Sequence, residues 1–195
     1  MILAHDILHE LIHAKSRHYA RKNKSLQFDY KAGFRLTDLE RYDSEYFKNF
    51  EEGITEELVK KYFYEMVIKE EIFEKELAST RSFKDRQGAP CQEDLYLALG
   101  EDYFLNDDER RSFARFCYQK QRENLHILIT KIYLKNQNRF GKREEVFDIF
   151  AGCKLRSDLI KPGLLIDRTF GKGTFRTLGE VDSDLTLQRK FIYSL

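Results

Sequence analysis

Two histidines four residues apart, His9 and His13, bracket Glu10 in the run His9-Glu10-Leu11-Ile12-His13. On a helix, residues at that spacing lie one above the other, so two imidazole nitrogens can meet on one metal ion. Glu10 follows His9 by about 100° around the helix axis, which keeps its carboxylate beside the ion's open position without entering the ligand shell. From there it could take a proton from water that the ion has made acidic. The chemistry implied is zinc-assisted hydrolysis, but two imidazoles are only half a site. The mundane alternative is a helix that carries two histidines by accident. With five histidines in 195 residues, the five-residue pattern is an infrequent accident.

A third ligand has to come from elsewhere, and Glu51-Glu52-Gly53-Ile54-Thr55-Glu56-Glu57 opens a second strongly helical stretch. Asn49 fits an N-cap with Glu52 three residues on, which would make Glu52 a capping-box carboxylate and nothing more. Taken with the first motif, however, this stretch resembles the gluzincin group of zinc metallopeptidases, over about residues 2–60. The resemblance implies that His9 and His13 are the imidazole ligands, Glu52 the carboxylate ligand and Glu10 the general base. It also implies that Glu56, one turn after Glu52, supports a ligand histidine. The group usually has an Asn-Glu pair here. With Glu51 at the Asn position, either Glu51 or Glu52 could ligate, and the Glu-Gly-Ile-Thr-Glu frame favours Glu52. An oxyanion-holding Tyr or His is also implied, for which Tyr42, Tyr46 and His126 are candidates.

The elements that must position these groups follow from periodicity. Apolar residues from Ile2 to Ala14 have helical spacing and predict a helix over 2 to about 20. His5 lies one turn before His9 on the same face, whereas His18 falls off it. Residues 26–36 alternate and break at Lys31-Ala32-Gly33, which predicts a β-hairpin. Residues 37–50 read as an aromatic, acidic loop. The second helix is predicted from Glu51 to about Thr80, followed by a polar connector over 82–90 and a short apolar segment, Leu95–Leu99. A long helix is predicted over 107–138 behind the start Asn106-Asp107-Asp108-Glu109, and another over 143–152. Lys161-Pro162-Gly163 reads as a turn and 164–179 as a helix broken near Gly171-Lys172-Gly173. That glycine pair lacks phosphate-loop spacing. From Asp184 the alternation predicts a terminal strand.

Composition narrows the classes. Lys plus Arg (34) and Asp plus Glu (33) nearly cancel, so no overall field recruits nucleic acid or an anionic membrane. Sixteen Phe and eleven Tyr exceed what a disordered chain carries. Cys91, Cys117 and Cys153 are odd in number and widely spaced, and read as reduced, mostly buried thiols. No apolar run approaches the roughly 20 residues of a membrane span, and the first residues lack a signal-peptide pattern, so a cytoplasmic protein is expected.

Together these readings predict a mainly α fold with a small β-hairpin and a zincin-like core. Such sites are flanked upstream by a sheet, and eight residues precede His9. The core would therefore be either reduced, with the hairpin in place of that sheet, or truncated at its N-terminus. One domain over 1–195 is expected, with the site helices and hairpin in 2–80 and a helical subdomain in 91–195. The activity implied is zinc-dependent hydrolysis of a peptide or protein substrate. The alternative is a non-catalytic, zincin-like helical binding or scaffold protein.

Overall fold

The structure is a computed structural model that describes residues 2–16, 18–22, 28–38, 44–66, 69–75 and 118–195. Helix α1 (Ile2–Lys15) leads into a four-stranded antiparallel meander of β1 (His18–Lys22), β2 (Phe28–Ala32), β3 (Arg35–Asp38) and β4 (Ser44–Tyr46). Helix α2 (Lys48–Glu65) follows, with a 3-10 turn at Glu71–Phe73. The C-terminal region supplies α3 (Gln119–Lys135), α4 (Arg143–Arg156), α5 (Ile160–Phe170), α6 (Thr174–Glu180) and α7 (Leu185–Ser194). Among the described residues the protein is mainly α with a small antiparallel β part.

The predicted hairpin is β2–β3, with Ala32 opposite Arg35 and Tyr30 opposite Thr37. The sheet around it is larger than the sequence suggested. Helix α1 stops at Lys15 rather than near residue 20, because its apolar spacing ends at Ala14, and His18–Lys22 pairs with β2 instead. Residues 37–50 are not simply a loop, since Ser44–Tyr46 adds a fourth strand with Tyr46 opposite Leu36. A three-residue strand is too short for alternation to reveal it.

Helix α2 is the centre of the molecule, packing on α1, α3 and α4. Residues Phe50, Ile54, Leu58 and Val59 join Ile12, Phe34, Leu125, Ile129, Phe150, Ile166 and Ile192 in one buried apolar cluster. The helix ends at Glu65 rather than running on toward Thr80, and among the described residues beyond it Met66 and Ile72 are exposed. Its start also differs from the capping-box expectation. Asn49 lies inside the helix, and the cap residue is Phe47, in the left-handed region. The orphan N–H groups of Asn49 and Phe50 donate to the buried carboxylate of Asp182, at 2.8 and 3.0 Å.

In the C-terminal region α5 begins before the expected turn, so Lys161-Pro162-Gly163 is helical. Pro162 sits in the first turn, where its missing N–H costs nothing. The predicted terminal strand is α7, capped by Asp184, whose carboxylate accepts from the N–H of Thr186 and Leu187. The break near Gly171–Gly173 separates α5 from α6 as expected, and the helix over 143–152 continues to Arg156. The connector over 82–90, the segment Leu95–Leu99, the helix start at 106–109, Cys91 and Cys117 lie outside the described residues. Cys153 is a buried free thiol.

Gly33 at the β2–β3 turn has φ of +57°, and a Cβ there would stand 2.7 Å from Glu51 Oε1. Backbone preference and the Glu51 carboxylate therefore both demand glycine. Replacing Gly33 with Ala should cost about 1–3 kcal/mol from the left-handed backbone and the displaced carboxylate, read as a lower urea midpoint at unchanged m-value. An unshifted midpoint would mean that Glu51 does not lie under this turn.

Candidate metal centre

Helices α1 and α2 pack so that His9 and His13 face Glu52. His9 Nε2 and His13 Nε2 are 3.0 Å apart, and Glu52 Oε2 lies 3.3 Å from the first and 3.2 Å from the second. Zinc–ligand bonds of about 2.0–2.1 Å place tetrahedral ligand atoms roughly 3.3–3.4 Å apart, so the triangle has the size of three corners of such a site. Among the described residues this is the group of His, Cys, Asp and Glu that could hold a metal ion.

The outward nitrogens explain why these three atoms converge. His9 Nδ1 is 2.9 Å from Glu56 Oε2, and His13 Nδ1 is 3.3 Å from Glu51 Oε1. An ionised carboxylate only accepts, so each Nδ1 carries a hydrogen and donates it. The neutral form of each ring then presents an Nε2 lone pair toward the other ring and toward Glu52. Three electron-rich atoms at this spacing need protons or a cation between them, and this donor set fits a divalent metal. Side-chain exposure rises from 9% at His9 through 13% at Glu52 to 26% at His13, so the triangle opens to solvent on the His13 side.

Glu56 is fully buried and takes a second histidine, with His5 Nε2 donating to its Oε1 at 2.7 Å. His5 thus supports the centre from one turn upstream, as its helix face suggested. Glu51, the other ligand candidate, points away from the triangle. Its Oε2 accepts the N–H of Phe34 at 2.8 Å and of Arg35 at 2.7 Å, and its Oε1 meets His13 and Lys154. The capping-box role for Glu52 does not occur, since its carboxylate is turned to the histidines.

The remaining site residues are distributed differently. Glu10 is exposed on α1 and makes no hydrogen bond or ion pair among the described residues. His126 lies 3.0 Å from Glu57 Oε1, beside the Arg122–Glu57 ion pair, and so joins α3 to α2 rather than reaching the triangle. Tyr46 packs against the apolar core, and Tyr42 is outside the described residues. No hydrogen bond links Tyr46 or His126 to the triad among the described residues. Sequence reasoning missed Tyr118, whose ring stacks on His9 with centroids 5.5 Å apart and planes 15° from parallel. Tyr118 also holds φ of +60° just before α3, a conformation that no local sequence pattern announces.

Electrostatics follow from the same contacts. Burial opposes charge on His9, but the carboxylates of Glu52 and Glu56 outweigh it and raise its pKa to about 9. Burial likewise opposes charge on Glu52, and His13 and His9 outweigh it, lowering that pKa to about 2. No protein-family description, curated protein or solved structure matches this chain, so the gluzincin resemblance rests on the motif residues themselves.

A His9 pKa raised from 6.5 to about 9 gives stability that is full below 6.5 and lost as pH rises through 9. Glu52, lowered from 4.5 to about 2, gives stability present above 4.5 and lost as pH falls through 2. In chelator, the urea midpoint should therefore decline between pH 6.5 and pH 9. A midpoint that is flat or rises across that window would reject the imidazolium–carboxylate cluster.

Proposed function

We propose that this chain is a zinc-dependent metallopeptidase of the gluzincin kind, with His9, His13 and Glu52 holding the ion and Glu10 acting as general base. The observation that carries this reading is the Nε2–Nε2–Oε2 triangle, with each imidazole held at its far nitrogen by a buried carboxylate. Bound zinc supplies Lewis-acid polarisation of a peptide carbonyl and lowers the pKa of water toward roughly 7. Glu56 and Glu51 keep both rings in the Nδ1–H tautomer, which leaves Nε2 free to ligate. Glu10 is a carboxylate without a competing partner among the described residues, one residue after His9 on the same helix. It accepts a proton from the attacking water and returns it to the departing amine, so the amide C–N bond breaks as a C–O bond forms. The exposed edge of His13 supplies the approach from solvent. The chemical class of substrate is an extended peptide or protein segment.

Metal content and turnover together test the reading. Wild type should hold one zinc per chain, and Glu52→Ala should lose it. Glu10→Gln should keep the zinc while peptide hydrolysis falls by about 10²–10⁴-fold. Zinc in the wild type with hydrolysis unaffected by Glu10→Gln would remove Glu10 from the chemistry. Zinc without hydrolysis of any peptide would leave a metal-holding binding module, and no zinc after reconstitution would sink the assignment.

A further inference from the structure

Lys154 is fully buried, and no step above uses it. Burying an ammonium group costs several kcal/mol unless it is paired and hydrogen-bonded, so its surroundings should show what it is for. Its Nζ is 2.9 Å from Ser16 Oγ and 3.5 Å from Glu51 Oε1. Ser16 lies just past the end of α1. Its Oγ donates to the carbonyl of Ile12 at 3.1 Å, and its N–H donates to the carbonyl of His13 at 3.1 Å. The ammonium therefore sits where the negative end of the α1 dipole meets a buried carboxylate of α2.

These two partners belong to the two helices that carry the ligands. Glu51 Oε1 is shared between Lys154 Nζ and His13 Nδ1, while Glu51 Oε2 is fixed by the N–H groups of Phe34 and Arg35. Among the described residues, Lys154 and His13 are the polar partners of Oε1, so without Lys154 only His13 would hold it. We propose that Lys154 is a positioning residue of the metal centre, an ammonium strut from α4 that holds Glu51 where it orients His13 and keeps the His13 proton on Nδ1. This inference rests on the ligand set proposed above and not on peptide hydrolysis. It brings α4, from the C-terminal region, into the support of a site that the sequence confines to residues 9–56.

The test is Co2+ and Zn2+ titration of the full chain, reading affinity and the visible d–d band of bound Co2+. It uses conditions in which circular dichroism gives each variant the folded fraction of wild type. Lys154→Met should weaken both metals by about 10–100-fold and alter the Co2+ band, while Lys61→Met, at an exposed lysine of α2, should do neither. Because Lys154→Met strands a buried carboxylate, the Glu51→Gln/Lys154→Met double variant is measured beside Glu51→Gln alone. If Lys154 acts through Glu51, its removal adds no further loss in that background. Losses that add, or a folded Lys154→Met with wild-type affinity and an unchanged Co2+ band, would overturn the proposal while leaving the metallopeptidase reading intact. A wild type that binds neither metal would overturn both.

Discussion

Four carboxylates on a buried helix constrain this fold more than any apolar contact. Glu51, Glu52, Glu56 and Glu57 lie within two turns of α2, where neighbouring positions from Phe50 to Val59 are almost all buried. A carboxylate taken from water without partners costs far more than a domain's net stability can absorb, so each of the four dictates a neighbour. Glu52 and Glu56 require the histidine face of α1, and Glu51 requires the β2–β3 turn and Lys154. Glu57 requires Arg122, with His126 beside it. Helix packing around α2 is thus specified by polar pairing as well as by the apolar cluster. The arrangement of α1, the sheet, α3 and α4 answers one list of demands.

Closure of the N-terminus of α2 follows the same logic over a longer distance. Asp182 reaches the N–H groups of Asn49 and Phe50 and also accepts from Gln188 Nε2 at 2.8 Å. Burial pushes its carboxyl pKa up to about 6 against the pull of those three donors. An acid raised in the folded state contributes more stability as pH falls from neutral toward its unfolded value, the same sign as His9 and the opposite of Glu52. Gly53 adds a steric condition, since a Cβ there would stand 3.0 Å from the Gln121 carbonyl oxygen, and α2 and α3 cross closely because none is present.

What was legible in the sequence divides along this line between local and distant partners. Helix periodicity, the His9–His13 spacing and the Gly33 turn are local, and α1, the hairpin and the shared face of His9 and His13 follow from them. The choice between Glu51 and Glu52 was ambiguous because adjacent residues differ by about 100° of rotation, and only packing reveals which direction faces α1. The Asn49 cap failed because its competitor, Asp182, is 133 positions away. Pro162 and Asp184 were readable as helix-start residues, but the Pro-Gly pair was given too much weight as a turn at the first and the apolar alternation at the second. Lys154 and Tyr118 carry no signal in their neighbourhoods, because their meaning comes wholly from residues far along the chain.

Charge balance bears on the proposed divalent ion. Glu51, Glu52 and Glu56 bring three negative charges to the space between α1, α2 and α4, and Lys154 supplies one positive charge. Two positive charges remain to be found in a region too buried for water to screen it well. The same carboxylates favour the charged form of the imidazoles, and the pKa values of His5, His9 and His13 are all raised against the opposing effect of burial. A single divalent ion at the Nε2–Nε2–Oε2 triangle provides the same two charges at the atoms where lone pairs already converge. In the proposed metal-bound form it would do so without protonating either Nε2. On the proposed reading, metal binding and proton release would be two sides of one exchange, because the Nδ1 hydrogen bonds to Glu51 and Glu56 leave both Nε2 atoms for the ion.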